Sequence, residues 1–419
     1  MTSSSISSPV PAVRLDSSGG RRLHEQAAEL RAAGPAVKVA LPEGVTAWSV
    51  TRGDIAKQLL THPDVSKDAG EHWAGYRPGA IQWLYPWVDV KSMLTADGDE
   101  HERLKQAIGS GFSRSRIQAM RPVLETIVTR LLDDLTARPA DGIVDLRAAF
   151  SYQVPTLLIC DLFGVPDAQR GDMLRAIDLV LTTDLTAEQA ETNKHDLYRT
   201  MMALIEYKRR TPGEDLTSHL LKNHELTEVE VVSTLILMIG AGSETAVALI
   251  GWAVYELLTH PDQLAAVLAD PDRWADVIEE SLRLHPPIMH LPLRFAAADI
   301  PLGEDVTIRK GDAILIGYGA HGRDPAVHTD PDLFDISRED KQHLAFGYGV
   351  HHCLGAPLAR LEAAVALPLL FARFPRLALA DPTTPPEPHR SFLGNDVTHL
   401  PVILDHLQGA RPTAAEEGR

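Results

Sequence analysis

Apolar residues recur every three to four positions along most of the chain, the spacing of helices that bury one face. Segments with this period cover residues 21–33, 54–61, 116–137, 146–162, 167–183 and 187–210. Breaks fall at Gly34-Pro35, Gly142, Gly164-Val165-Pro166 and Pro212-Gly213, where glycine frees the backbone and proline removes a donor. Thr227-Glu228-Val229-Glu230 has the form of a capping box and opens a more continuously apolar helix that runs to about residue 259. Another helix is expected from Pro357 to about Phe374. Strand-like runs are few: residues 37–41 and 45–50 around a Pro-Glu-Gly turn, and 291–294 beyond Pro286-Pro287. The pattern predicts a mainly α protein with small β-sheets.

Residues 1–20 are rich in serine and proline and read as a disordered arm, residues 21–408 as a single domain, and 409–419 as a disordered tail. Residues 63–95 interrupt the helical period with Trp73, Tyr76, Trp83, Tyr85 and Trp87. A loop of that length in a compact domain is either packed on its own aromatics or functional. The functional reading is a lid over an apolar pocket. No Gly-x-Gly-x-x-Gly follows a strand, so no flavin or nicotinamide domain is expected, and electrons for redox chemistry would come from elsewhere.

Lys and Arg number 40 against 57 Asp and Glu, a net charge of −17. This argues against nucleic acid as a partner. The N-terminal stretch has no apolar run, so neither a signal peptide nor a membrane anchor is expected, and a cytoplasmic location follows. Two cysteines offer no disulfide framework. Cys160, within Leu157-Leu158-Ile159-Cys160-Asp161-Leu162-Phe163, reads as a packed core residue.

Cys353 is different. It lies in Phe346-Gly347-Tyr348-Gly349-Val350-His351-His352-Cys353-Leu354-Gly355-Ala356, a glycine-rich loop that leads into a helix. Backbone N–H groups and the positive end of the following helix favour a thiolate there. A single thiolate suits one axial bond to haem iron. Structural zinc or an iron–sulfur cluster would need several ligands, and the adjacent His351, His352 and Cys353 diverge too far for one tetrahedral site. The competing reading is an inert buried cysteine.

Phe346 to Gly355, read as Phe-Gly-x-Gly-x-His-x-Cys-x-Gly, resembles the haem-binding signature of cytochrome P-450. The resemblance extends from about residue 20 to 407, and it is closest to the soluble bacterial class of natural-product and steroid-tailoring members. It implies a triangular α-helical prism, with haem b between the long central helix and the helix after the cysteine loop. It implies Cys353 as the axial ligand of the haem iron, shielded by Phe346 and Gly347, with Gly355 turning the backbone beneath the sulfur.

In the middle of the long helix, Gly240-Ala241-Gly242-Ser243-Glu244-Thr245 places two glycines and an acid in an apolar run. Such local violations tend to mark function. Small residues would let the helix approach a ligand plane, and the resemblance assigns Ala241 and Gly242 to the haem contact and Glu244 and Thr245 to proton delivery. The competing reading has Thr245 bonding back to the preceding turn; both can hold together.

The family has His-x-x-x-Arg where this chain has His101 and Lys105, so the resemblance implies propionate contacts from His101 and, less closely matched, from Lys105, with Arg103 as a possible substitute. Arg294 and His351 are implied as the other propionate ligands. Glu280 and Arg283, at i and i+3, match the family's structural pair, with Arg338 completing a buried ion network. Trp83, Trp87, Met238, Ala241, Met289 and Leu393 are expected to line the substrate pocket.

The implied activity is that of a monooxygenase. It would activate dioxygen to hydroxylate a hydrophobic, medium-sized substrate such as a steroid, macrolide or other natural product, with electrons from ferredoxin and ferredoxin reductase. The enzyme would be a monomer, with no membrane. Arg103, Lys105, Arg114, Arg116 and Arg360 are candidates for a cationic docking patch. Two readings compete: oxidative coupling of aromatic substrates such as cyclic dipeptides, and a haem sensor or carrier without turnover. Glu244 and Thr245 argue against the sensor.

Overall fold

The computed structural model describes residues 12–139, 142–183, 185–303 and 305–404. The helix Glu228–Thr259 is its axis. Thr227 caps it reciprocally: the Glu230 N–H donates to Thr227 Oγ1 at 3.3 Å, and the Thr227 N–H donates to Glu230 Oε2 at 2.7 Å. Helices Gln153–Leu162, Ala187–Arg210, Trp274–Leu284 and Ala356–Arg373 pack around it. Together they form one large apolar core that contains Cys160, whose thiol burial pushes up to about 11. Glu228–Thr259 and Gly349–Arg373 have the length and hydropathy of membrane-crossing segments, yet most of each apolar stretch is buried inside the protein.

Three expected helices change at their ends. The segment 116–137 divides into Arg114–Ala119 and Arg121–Thr136, because Pro122 starts a new first turn. The segment 146–162 begins as a wide turn, Arg147–Ser151, before Gln153–Leu162. The third stops at Asp178 instead of 183, since the chain beyond it bonds elsewhere. Ser391 Oγ donates to the Leu181 carbonyl at 2.6 Å, and the Phe392 N–H donates to Thr183 Oγ1 at 3.3 Å.

A six-stranded sheet flanks the helices, in the order Val13–Arg14, Val37–Ala40, Thr46–Val50, Ala313–Gly317, His290–Ala296 and Val65–Ser66. The expected disordered arm is therefore corrected for residues 12–20. Val13–Arg14 pairs in parallel with Val39–Ala40, and Leu15 is buried. Residues 1–11 and the expected tail 409–419 lie outside the described residues. At the far edge, Val65–Ser66 pairs antiparallel with Phe295–Ala296. This pairing brings the residue after Ser66 beside Arg294.

Candidate active site

The cysteine loop is wound by its own backbone. The Cys353 N–H donates to the Phe346 carbonyl at 2.8 Å, the Gly347 N–H to that of Leu344 at 2.8 Å, and the His352 N–H to that of Gly349 at 3.0 Å. Gly349, at φ +76°, is doubly required, because a Cβ would stand 3.0 Å from the Leu60 carbonyl oxygen. The Cys353 side chain is accessible, yet it lies deep in the protein: its free surface faces a cavity of about 260 Å³. Burial pushes its thiol up, while the N–H groups of Gly355 and Ala356, at the start of helix Ala356–Arg373, work against that rise. The Phe346 ring borders the same space, with the Arg360 guanidinium 4.5 Å from its centroid.

Basic side chains gather on the cavity wall. His101 and His351 lie with ring centroids 4.4 Å apart, and both line the cavity with Lys105 and Arg294. Arg294 is buried, and its guanidinium has no hydrogen-bond or ion-pair partner among the described residues. Burial, with Arg294 and Lys67 nearby, pushes His351 down to about 4 although Asp97 opposes the shift. His351 Nε2 stands 3.6 Å from Asp97 Oδ1, just beyond hydrogen-bond length. Lys105 Nζ donates to the Val350 carbonyl at 3.0 Å, which ties it to the cysteine loop. Arg103 is no substitute for the expected arginine: it turns away, paired with Glu230 and the Glu225 carbonyl.

Sequence reasoning missed Lys67. It is buried, lines the cavity and donates from Nζ to one acceptor, the Leu293 carbonyl, at 2.9 Å. Burial, reinforced by Arg294, pushes its ammonium down to about 7. Its signal was available only through the strand pairing that places it beside Arg294. Asp97 orients this corner, accepting from the Ser66 hydroxyl and the Lys67 N–H at 2.6 Å each. Cations buried without matching anions call for an anionic ligand. With one cysteine opposite an apolar helix, the donor set fits haem, an iron ring carrying two carboxylates.

On the opposite wall the central helix stays regular through its glycines. Ala241 and Thr245 face the cavity. Gly242 has another duty besides: a Cβ there would lie 2.7 Å from Ile159 Cδ1, so its smallness also serves helix packing. The Thr245 hydroxyl donates to the Ala241 carbonyl at 2.7 Å, bonding back one turn. Glu244 is buried, with Oε2 at 3.5 Å from Arg147 Nη2. Burial first, then neighbouring Asp178, hold its carboxyl well above the usual range.

Glu280 and Arg283 form the expected pair, with both side chains fully buried. Arg283 donates to both Glu280 oxygens at 2.8 and 2.7 Å, and to the carbonyls of Gly322, Pro331 and Leu333. Arg338 Nε joins Glu280 Oε1 at 3.3 Å.

Of the residues expected to line the substrate pocket, Trp87, Met238 and Ala241 border the cavity. Trp83, Met289 and Leu393 do not, which corrects those assignments. Trp83 packs edge-on against Phe392 at 5.7 Å, and Met289 and Leu393 are fully buried, joined by the bond from the Met289 N–H to the Leu393 carbonyl at 2.7 Å. Their place is taken by Leu94, Val180, Leu181, Leu237 and Ile288. The aromatic segment both packs in the core and reaches the cavity. Trp73 stacks on Phe295 at 5.4 Å in the core, while Pro86, Trp87, Met93 and Leu94 reach the cavity.

Residues 45–399 match the family model for Cytochrome P450. The chain is 41% identical over 404 residues to 2-hydroxy-5-methyl-1-naphthoate 7-hydroxylase of Streptomyces carzinostaticus, spanning 94% of this chain and 97% of the relative. It is 37% identical over 390 residues to 6-deoxyerythronolide B hydroxylase of Saccharopolyspora erythraea, with 90% and 95% covered. Among solved structures, CYP154A1 from Streptomyces coelicolor A3(2) superposes with a TM-score of 0.90 at 45% identity, over 94% of this chain and 100% of that one.

Proposed function

The chain belongs to the cytochrome P-450 family and is a haem-thiolate monooxygenase; from that premise we propose that it hydroxylates a neutral, hydrophobic natural product of medium size in the bacterial cytoplasm, as a monomer fed by a ferredoxin and its reductase. The observation that supports this reading is that Cys353, Glu244 and Thr245 line one cavity together with many aliphatic side chains. Hydrophobic cavities with few polar groups take apolar ligands, and the two relatives are hydroxylases of 2-hydroxy-5-methyl-1-naphthoate and of 6-deoxyerythronolide B by their names.

Cys353 would ligate the haem iron, and Lys67, His101, Lys105, Arg294 and His351 would hold the propionates. Bound haem supplies the reductive cleavage of dioxygen, one oxygen atom entering a C–H bond and the other leaving as water. The chain's own residues do the rest. Leu94, Val180, Leu181 and Ile288 position the substrate and exclude water. Ala241 leaves room for a small ligand beside the helix. Thr245 presents its hydroxyl to the cavity, and Glu244, its carboxyl pushed well up by burial, is the acid behind it.

The test is reconstitution with candidate polycyclic aromatics, macrolides and steroids, first screened by the Soret shift. A product one oxygen heavier is expected. A dimer without added oxygen would establish oxidative coupling instead, and absence of substrate-dependent reductant consumption would point to a sensor. Replacement of Cys353 by alanine should abolish the thiolate-type carbon monoxide spectrum.

A further inference from the structure

The helix Ala356–Arg373 carries an acid without a partner. Gly355, Ala359 and Glu362 follow one another at steps of four and three residues, so they share a face, and all three border the cavity with Cys353. Glu362 is 1% exposed, and among the described residues it meets neither a hydrogen-bond donor nor a cation. Ionising such a carboxyl is unfavourable. Burial, with no second cause, pushes it up to about 8.

The charged groups on the elements packed against this helix are committed elsewhere. On the central helix, Glu244 faces Arg147 and Glu256 bonds to His285. On Trp274–Leu284, Glu280 pairs with Arg283, and Glu279 with Arg360. On Gln153–Leu162, Asp161 pairs with Arg170, and on Arg121–Thr136, Asp133 pairs with Arg373. Arg114 and Arg116 of the short helix are exposed. Of the basic groups that border the cavity, Lys67 is the one that burial brings near neutrality, to about 7.

We propose that Glu362 is a redox-linked proton site: it is a neutral acid beside the ferric haem at neutral pH, and in alkaline solution, once ionised, it takes a proton back as the iron accepts one electron. The electron comes from the reductant and the proton from water, and no bond other than O–H forms. An added negative charge on the thiolate-ligated iron disfavours a carboxylate on the same cavity wall. The helix rises about 9 Å from Ala356 to Glu362. Two unit charges about 10 Å apart, at an effective dielectric near 20, shift each other's equilibrium roughly tenfold. The iron is therefore easiest to reduce while Glu362 holds its proton. This rests on haem bound at Cys353.

The test is a spectroelectrochemical titration of the haem-loaded protein across neutral and alkaline pH, read at the Soret band. The midpoint potential should stay level up to about pH 8 and then fall. The whole fall should be about 59 mV, a tenfold change in a one-electron equilibrium. E362Q, neutral and of the same shape, should match the wild type at neutral pH and lose the alkaline fall. E362M should do the same, and it replaces E362Q if that variant does not retain haem. A fall that persists in the Glu362 variant and vanishes in K67M would assign it to Lys67 and overturn the proposal. In the wild type itself, a reduced-minus-oxidised infrared spectrum within the fall should show a carboxylic-acid band gained on reduction. Absence of that band would overturn the proposal whatever the variants do. Absence of a thiolate-type carbon monoxide spectrum would instead remove the haem reading beneath it.

Discussion

The Lys67 ammonium donates to the Leu293 carbonyl oxygen at 2.9 Å and meets no carboxylate within ion-pair distance among the described residues. Two of its three N–H bonds are left for the cavity that Arg294 and His351 also line. In K67M, haem should leave faster. Hydrogen bonds to charged groups contribute about 1.5–3 kcal/mol, so transfer to apomyoglobin should accelerate roughly 10- to 100-fold. K67R, which keeps the charge, should fall between.

Glu280 and Arg283 are expected to behave as one unit. Removing one partner of a buried ion pair strands the other, at a cost of about 3–5 kcal/mol. E280A should lower the urea midpoint accordingly and reduce haem content. R283K should do nearly as much harm, because an ammonium cannot match a planar fork that reaches both Glu280 oxygens and three carbonyls.

Acid stability should depend on Glu256. Burial alone would raise its carboxyl, but bonds from His260 and His285 outweigh it and hold the group down to about 2 from 4.5. A lowered carboxylate stabilises the fold above its unfolded value and loses that contribution as pH falls through the folded one. Thermal midpoints should therefore decline between about pH 4.5 and 2, and E256Q should flatten that decline. His260, raised by its bond to Glu256, acts in the opposite sense. Its contribution is complete below the ordinary histidine value and disappears as pH rises through the raised one.

Docking of the electron donor should rest on fewer cations than the chain's basic residues suggest. Arg103 is engaged with Glu230, and Arg360 with Glu279 at 2.6 Å. Arg114 and Arg116 are exposed on a short helix that packs against the helix after Cys353. R114E/R116E should slow ferredoxin-driven turnover roughly tenfold at low salt and leave peroxide-driven turnover nearly unchanged. An equal fall in both would remove the patch from consideration.

What the sequence disclosed follows from how local each signal is. The Thr227 cap, the helix Ala187–Arg210 and the Cys353 loop depend on residues a few positions apart, so spacing alone located them. Lys67 escaped because its burial comes from Val65–Ser66 pairing with a strand more than two hundred residues away. Arg147 escaped for the same reason: it is an ordinary surface-helix residue until the fold brings it to Glu244. The resemblance alone does not tell which way Trp83, Met289 and Leu393 face. Which side of the chain a side chain takes was decided by Phe392 and by the bond between Met289 and Leu393.

Residues 324–348 contain neither helix nor strand, although they deliver the chain to the cysteine loop. Much of their path is fixed from Arg283, whose guanidinium takes carbonyls at Gly322, Pro331 and Leu333. A chimera joined anywhere between positions 284 and 333 would thus inherit its clasp from one parent and at least part of the clasped stretch from the other. Such hybrids should tolerate crossovers on either side of this interval and fail within it wherever the parental loops differ in course.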